Sequence, residues 1–139
     1  MSAYLLDTNV LSELAKPHPD PGVVNFLSEL EDAYISVLTI HELKFGIECL
    51  PEKSNRKETL NKVVEELLAT FRENLLPIDE MESRVAGKIR ADAQAAGRTI
   101  HVIDSLIAAT GRVKNLTVVT QNEKDFAHSG VMIANPWRG

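Results

Sequence analysis

Cysteine is nearly absent from this chain, whose 139 residues include only Cys49. A single cysteine cannot form an internal disulfide, so nothing in the sequence indicates an oxidising compartment. No apolar run reaches the roughly 18 residues needed to span a bilayer, and the N-terminus lacks the basic region and cleavage site of a signal peptide. We therefore expect a cytoplasmic protein without a membrane segment, and we expect Cys49 to be a buried structural thiol.

Positive charge is also scarce, because 15 Lys and Arg residues stand against 20 Asp and Glu, giving a formal net charge of −5. Nonspecific nucleic-acid binders usually present a basic face, so the charge taken alone argues against such a ligand. The argument changes if several carboxylates converge on cations, since a bound metal inverts the local electrostatics. The length and the 44% hydrophobic content suit a single globular domain over residues 1–139.

Short apolar runs alternate with segments of helical spacing along the chain. The runs predict five strands, at residues 3–6, 34–38, 75–78, 116–120 and 131–134. Pro77 makes the third of these an edge strand. The clearest helical stripe extends from Leu60 to Phe71. This alternation predicts an α/β fold with a mainly parallel sheet of about four or five strands covered by helices.

A long helix is predicted between Asp79, which would cap its start, and Gly97, which would end it. Its spacing predicts a buried face made of Met81, Val85, Ile89, Ala93 and Ala96. The cations on and after this helix have two interpretations, because they could track RNA phosphates or form a solvated face. They are Arg84, Lys88, Arg90 and Arg98.

Carboxylates stand next to the predicted strands at three distant places. Asp7 directly follows the first strand, Glu42 lies in the predicted first turn of the helix after the second, and Asp104 begins the helix before the fourth. Ligands of open α/β sheets bind outside the carboxyl ends of the strands, so each acid is a candidate site residue. Each also has a structural explanation: Asp7 as a helix cap, Glu42 as the partner of Thr39 in a capping box, and Asp104 as an acid that favours the helix dipole.

Four segments together resemble the PIN-domain ribonucleases, the toxins of VapBC-type toxin–antitoxin pairs. In order, they read LLDTNVLSEL from Leu5, SVLTIHELKFGI from Ser36, IDSLIAAT from Ile103 and VVTQNEKDF from Val118. The closing Asn-Pro-Trp137 is similar to the FitB-like branch of that family. The resemblance implies a three-layer PIN fold and metal-dependent endoribonuclease activity on RNA. It also implies neutralisation by a cognate antitoxin, and a homodimer.

Carried over position by position, Asp7, Glu42 and Asp104 match the three principal acids of the family, which implies that they are the catalytic residues and metal ligands. The implied metal is Mg²⁺, with Mn²⁺ as an alternative. Four further residues match supporting positions of the family's site: Thr8, Thr120, Asn122 and Asp125.

The fourth acidic position departs from the family pattern. Many members have an acid where this chain has Asn122, while Asp125 occupies the other acidic position of the segment. Without the resemblance, Asn122 would be a turn residue and Asp125 a surface charge. The departure leaves open whether the site holds one metal ion or two.

The residue types suit phosphodiester hydrolysis, because Mg²⁺ and Mn²⁺ prefer oxygen ligands and activate water for attack on phosphorus. One alternative is a PIN fold that has lost catalysis and serves as a binding or regulatory partner. A second is a signalling module of the receiver type, which needs an acidic pair near the first strand and a lysine beyond the last. Here Asp7 has no acidic neighbour, and no lysine lies between Val131 and Pro136.

Overall fold

The computed structural model describes residues 2–138, apart from the side chain of Arg138. The strands in this part of the chain are β1 (Tyr4–Leu6), β2 (Ala33–Ser36), β3 (Leu75–Leu76), β4 (Thr117–Val119) and β5 (Ile133–Ala134). The helices are α1 (Thr8–Leu14), α2 (Pro21–Ser28), α3 (Val37–Glu48), α4 (Asn55–Thr70), α5 (Glu80–Ala95), α6 (Val102–Lys114) and α7 (Glu123–Phe126). Two 3₁₀ turns complete them, Arg72–Asn74 and Pro136–Arg138. None of the helices in residues 2–138 has the length and apolar character needed to cross a bilayer.

The five strands form one parallel sheet in the order β3-β2-β1-β4-β5. The first strand lies at the centre, where Leu5 is in register with Tyr34 on β2 and with Val118 on β4. The sequence prediction of a mainly parallel α/β sheet is confirmed, and β3 lies at an edge as Pro77 predicted. Because the strands are parallel, their carboxyl ends meet along one side of the sheet.

Helices cover both faces of the sheet, which creates two separate cores. Successive strand side chains point to opposite faces, so Leu6 packs with Val10 and Ile35 in one core, whereas Leu5 packs with Ile107 in the other. Helices α1 to α4 contribute to the first core, and α5 to α7 to the second. The result is a three-layer fold whose central strand is buried on both faces.

The second strand ends earlier than the sequence indicated. Ser36 caps α3, because its hydroxyl accepts a hydrogen bond from the backbone N–H of Leu38 at 3.1 Å. The helix therefore begins at Val37, a residue whose β-branched, apolar side chain had favoured the strand. Two predictions are consequently wrong: Thr39 is not the cap, and Glu42 lies in the second turn of the helix.

Helix α5 begins with the predicted cap and ends before the predicted glycine, but its buried face is rotated. The Asp79 N–H donates to Glu82 Oε1 at 2.9 Å in a capping box that holds the Glu82 side chain inside. Met81 is therefore turned out, 57% exposed, and Ala96 is exposed as well. Gly97 has a φ of +76°, the left-handed conformation expected of a C-terminal glycine.

Two further residues of α3 and α6 have roles that the sequence did not indicate. Cys49, directly after α3, is exposed, so the prediction of a buried thiol is wrong. Gly111 allows a close approach inside α6, because an added Cβ would lie 2.5 Å from Val131 Cγ2 and 3.0 Å from the Leu116 carbonyl oxygen. In the core that contains Leu5 and Ile107, α6 therefore packs closely against its neighbours at a residue without a side chain.

Candidate active site

Asp7 lies at the carboxyl end of the central strand and is 5% exposed. Its Oδ1 accepts a hydrogen bond from the Thr8 N–H at 2.8 Å, which caps α1 as one interpretation of the sequence predicted. Its Oδ2 accepts from the hydroxyl of Thr120, 113 residues later, at 2.9 Å, and from Asn9 Nδ2 at 3.2 Å. The carboxylate is thus a cap and also the centre of a polar cluster at the ends of β1 and β4.

Thr120 and Asn9 organise this cluster from the β4 side. The Thr120 side chain is fully buried, and its Oγ1 accepts hydrogen bonds from Asn9 Nδ2 at 3.1 Å and from the Asn122 N–H at 3.0 Å. Asn9 Oδ1 accepts from the Gln121 N–H at 3.3 Å. Asn9 was not among the predicted site residues, because Asp-Thr-Asn could be explained as three residues that favour a helix start.

Thr8 connects the first strand to α3. Its hydroxyl donates a short hydrogen bond to Glu42 Oε1 and lies 3.3 Å from the hydroxyl oxygen of Thr39, which is fully buried. Although Glu42 is one turn further along α3 than predicted, its side chain therefore points back toward the strand end. The structure thus brings Thr8 and Glu42 into one hydrogen-bonded pair beside Asp7.

Asp104 occupies the first turn of α6 and is half-buried. Burial, together with the negative charges of Asp7, Asp125 and Glu42, raises the pKa of Asp104 to about 6, and the nearby His101 opposes the shift. Burial also raises the pKa of Asp7, with a smaller contribution from Glu42 and Asp125, against the hydrogen bonds from Thr120 and Thr8. These four carboxylates, contributed by four separate segments, are electrostatic neighbours.

The residues of the α7 segment take different positions. Asp125 lies on α7 with an exposed side chain, yet its charge acts on both Asp7 and Asp104. Asn122 contributes its backbone N–H to the cluster, while its exposed side chain makes no hydrogen bond within residues 2–138. Of these two residues, Asp125 therefore adds negative charge to this pocket, and Asn122 contributes only its backbone N–H.

The donor set fits a hard divalent cation. It consists of carboxylate, hydroxyl and amide oxygens. Burial is the main cause of the raised pKa of Asp104, and a bound cation would relieve the repulsion from Asp7, Asp125 and Glu42 that adds to it. Within residues 2–138, no group of three or more Asp, Glu, His or Cys side chains is drawn together at metal-site geometry.

Comparison with known proteins identifies the family. Residues 4–130 match the PIN domain, and the chain therefore belongs to the PIN-domain family. It is similar to toxin FitB of Neisseria gonorrhoeae, with 36% identity over 135 residues that cover 96% of this chain and 97% of FitB. It is also similar to the VapC ribonuclease Y4jK of Sinorhizobium fredii, at 35% identity over 96% of both chains. The crystal structure of FitAcB from Neisseria gonorrhoeae matches with a TM-score of 0.88 and 36% identity, covering 98% of this chain and 99% of that one.

Proposed function

We propose that this chain is an endoribonuclease that hydrolyses RNA phosphodiester bonds with the help of a divalent metal, and that it is the toxin of a type II toxin–antitoxin pair. The observation that supports this most directly is the polar cluster at the strand ends, where Thr120 donates to Asp7 and Thr8 donates to Glu42. Beside this cluster, burial and the charges of Asp7, Asp125 and Glu42 raise the pKa of Asp104. Carboxylates that repel one another in a folded chain call for a cation, and the PIN-domain family implies a divalent metal. The similarity to a VapC ribonuclease supports RNA as the substrate.

In the proposed mechanism, Asp7 and Asp104 would hold the metal, and Glu42 would assist them directly or through a water. Mg²⁺, or alternatively Mn²⁺, supplies positive charge that neutralises the developing charge at phosphorus and favours deprotonation of the attacking water. Thr120 and Asn9 fix the orientation of the Asp7 carboxylate by donating to its Oδ2. The Asp7 carboxylate thus enters the reaction already oriented, which lowers the cost of assembling the site.

Thr8 and Asp125 support the same centre from two sides. Thr8 holds Glu42 through its hydroxyl, which keeps that carboxylate on the side of α3 that faces the strand ends. Asp125 adds a fourth negative charge next to Asp7 and Asp104, and it is our candidate for the outer ligand of a second ion. Asn122, whose contact is through its backbone, supports the position of Thr120.

The antitoxin would occupy the long groove between α1, α3 and α4. This groove has a volume of about 730 Å³ and is lined mainly by apolar side chains, including Leu43, Leu60 and Val63. Thr8 and Glu42 also line it, so a bound segment would extend to the edge of the acidic pocket. Occupation of the groove would therefore hinder access of RNA to the proposed catalytic residues. Homodimerisation and a cytoplasmic location remain predictions.

The test is cleavage of single-stranded RNA by the purified chain with Mg²⁺ and with EDTA. We expect cleavage to require the metal and to be lost in Asp7→Asn and Asp104→Asn. Asp92→Asn is the matched control, because Asp92 is an exposed acid paired with Lys88 on α5. Cleavage that survives EDTA, or that is undiminished in the two site variants, would contradict the proposal. Metal binding without any cleavage would instead favour the catalytically inactive PIN-fold partner.

A further inference from the structure

The cations of this acidic chain fall into two groups. Arg84 and Lys88 on α5 are neutralised within their own helix, since Arg84 Nε lies 2.7 Å from Glu80 and Lys88 Nζ lies 2.6 Å from Asp92. Arg98 and Lys124 form no ion pair with any acid in the described part of the chain. A cation without an internal partner is available to an external anion.

Two of the cations without an ion pair, Arg98 and Lys124, share one recess next to the acidic pocket. Arg98 and Thr99, from the connection between α5 and α6, line it on one side, and Lys124 and His128, from α7 and the loop that follows, line it on the other. Asp125 also lines the recess, and its charge acts on Asp7 and Asp104 as well. The recess and the acidic pocket therefore adjoin each other at Asp125.

The size of the recess limits what can enter it. Its volume is about 40 Å³, whereas a cavity needs roughly 10–15 Å³ to hold one water. It therefore has room for a few oxygen-sized atoms, which corresponds to a phosphate group and excludes a nucleobase. Arginine and lysine are the side chains that most often bind phosphate oxygens.

The backbone at His128 supports a dedicated conformation of this loop. His128 has a φ of +70°, in the left-handed region that non-glycine residues seldom adopt. The Ser129 N–H and hydroxyl both donate to the Phe126 carbonyl oxygen, which fixes the loop just beyond this residue. Histidine adopts this region more often than most non-glycine residues, so the left-handed conformation and the two hydrogen bonds define the shape of the loop beside the recess.

We propose that this recess binds the phosphodiester next to the one that is cleaved, with Arg98 and Lys124 as its main contacts and His128 and Thr99 as additional donors. The inference rests on the proposed function, because it assigns a second contact on the same RNA strand. It explains how a chain with a net charge of −5 holds a polyanion: the metal serves the scissile phosphate, and these cations serve its neighbour. Asp125 lies where the recess meets the acidic pocket, between the cations of the first and the other acids of the second.

The experiment compares two double variants that remove the same charge. Arg98→Ala/Lys124→Ala removes the two cations of the recess, and Arg84→Ala/Lys88→Ala removes two paired cations outside it. Both are made in the Asp104→Asn chain, which keeps RNA intact, and binding of a fluorescent single-stranded RNA is followed by anisotropy against salt concentration in the presence of Mg²⁺. We expect Arg98→Ala/Lys124→Ala to weaken binding about tenfold and to reduce the salt slope by about 0.7 for the one lost phosphate contact. The paired control should change affinity less than about twofold.

Charge-preserving and kinetic variants separate this inference from the proposed function. Arg98→Lys/Lys124→Arg should restore most of the binding, and Arg98→Ala/Lys124→Ala in the otherwise native chain should raise KM for RNA much more than it lowers kcat. Equal weakening of RNA binding by both alanine pairs would contradict phosphate binding in the recess and would leave the proposed nuclease function unaffected. If the native chain binds RNA through Arg98 and Lys124 but cleaves none, the proposed nuclease function would be contradicted and phosphate binding in the recess would stand. If Arg98→Ala/Lys124→Ala lowers the melting temperature, Lys124→Gln alone, at an exposed position, decides by the same criteria.

Discussion

Glu13 and Asp104 are both carboxylates withdrawn from solvent, yet the fold treats them in opposite ways. Glu13 Oε1 accepts from Lys16 Nζ at 3.0 Å, and its Oε2 accepts from the Asp20 N–H at 2.9 Å. These two hydrogen bonds, with a smaller one from the Trp137 side chain, lower the pKa of Glu13. Around Asp104, burial and neighbouring acids dominate, and they raise its pKa.

The difference separates a structural carboxylate from a functional one. Glu13 finds its donors within the chain and joins α1, the proline-rich turn before α2 and the C-terminal 3₁₀ turn. Asp104 is half-buried next to acids that the fold places together, and His101 only partly opposes their charge, a local conflict that stability alone would not favour. Acids that remain in mutual repulsion therefore mark the place where this protein meets something from outside.

The sharpest form of the comparison is isosteric neutralisation of each acid. Asp104→Asn should reduce RNA cleavage on the order of 100-fold or more, because it removes a proposed metal ligand. Glu13→Gln should leave cleavage within about twofold, since Glu13 contacts only structural groups. Initial rates at saturating Mg²⁺ provide the measurement. Similar losses in both variants would mean that the two carboxylates are not functionally distinct.

Thr120→Val tests whether the Asp7 carboxylate depends on an internal donor. The substitution keeps the shape but removes the hydroxyl that donates to Asp7 Oδ2 and accepts from Asn9 and the Asn122 N–H. We expect cleavage to fall about tenfold, with a weaker apparent affinity for Mg²⁺, as for other groups that orient metal ligands. Thr120→Ser keeps the hydroxyl and should retain most activity. A valine variant with native metal dependence would remove Thr120 from the site.

The metal-free chain should become more stable as the pH falls from about 7 toward 5. The pKa of Asp104 is raised from its ordinary value of 3.8 to about 6, so the folded state binds a proton that the unfolded state does not. The stability from this proton is present at low pH and is lost as the pH rises through about 6. Thermal unfolding in EDTA measures this trend. Asp104→Asn should reduce this trend and leave the smaller part that the raised pKa of Asp7 contributes, and a trend unchanged by the substitution would exclude Asp104 as its source.

Glu13→Gln should have the smallest effect and the opposite dependence on pH. Because the pKa of Glu13 is lowered from its ordinary value of 4.5, its charge stabilises the fold above that pH, and this contribution is lost as the pH falls. The variant should melt at a lower temperature than the native chain near pH 7, and the gap should narrow in acid. A gap that is constant across this range would mean that Glu13 acts by shape instead of charge.

The sequence predicted the sheet well because the spacing of apolar residues and the positions of proline and glycine are local signals. Pro77 identified the edge strand, and Gly97 the end of α5. The start of α3 was misplaced because Val37 and Leu38 favour a strand, and only the Ser36 cap shows that they belong to the helix. Met81 was assigned to the core because helical spacing gives a face but not its rotation, which the Glu82 capping box determines.

The candidate site was predicted more completely in its acids than in the groups that orient them. The positions of Asp7, Glu42 and Asp104 beside the predicted strands made them candidates, and the resemblance added their assignment as metal ligands, which remains a prediction. Asn9 was missed because its residue type is equally typical of a helix start. The role of Glu13 was beyond sequence reasoning, since one of its partners is Trp137 at the other end of the chain.

The central position of β1 also sets the order in which the molecule can be completed. Its neighbour β4 is made more than a hundred residues later, and Asp7 meets the Thr120 hydroxyl only across that interval. A chain emerging from the ribosome therefore carries its first acid long before the strand that seats it has been synthesised. The first part of the nascent polypeptide cannot complete the proposed catalytic site, so we expect nuclease activity to arise only when nearly all of the fold has been translated.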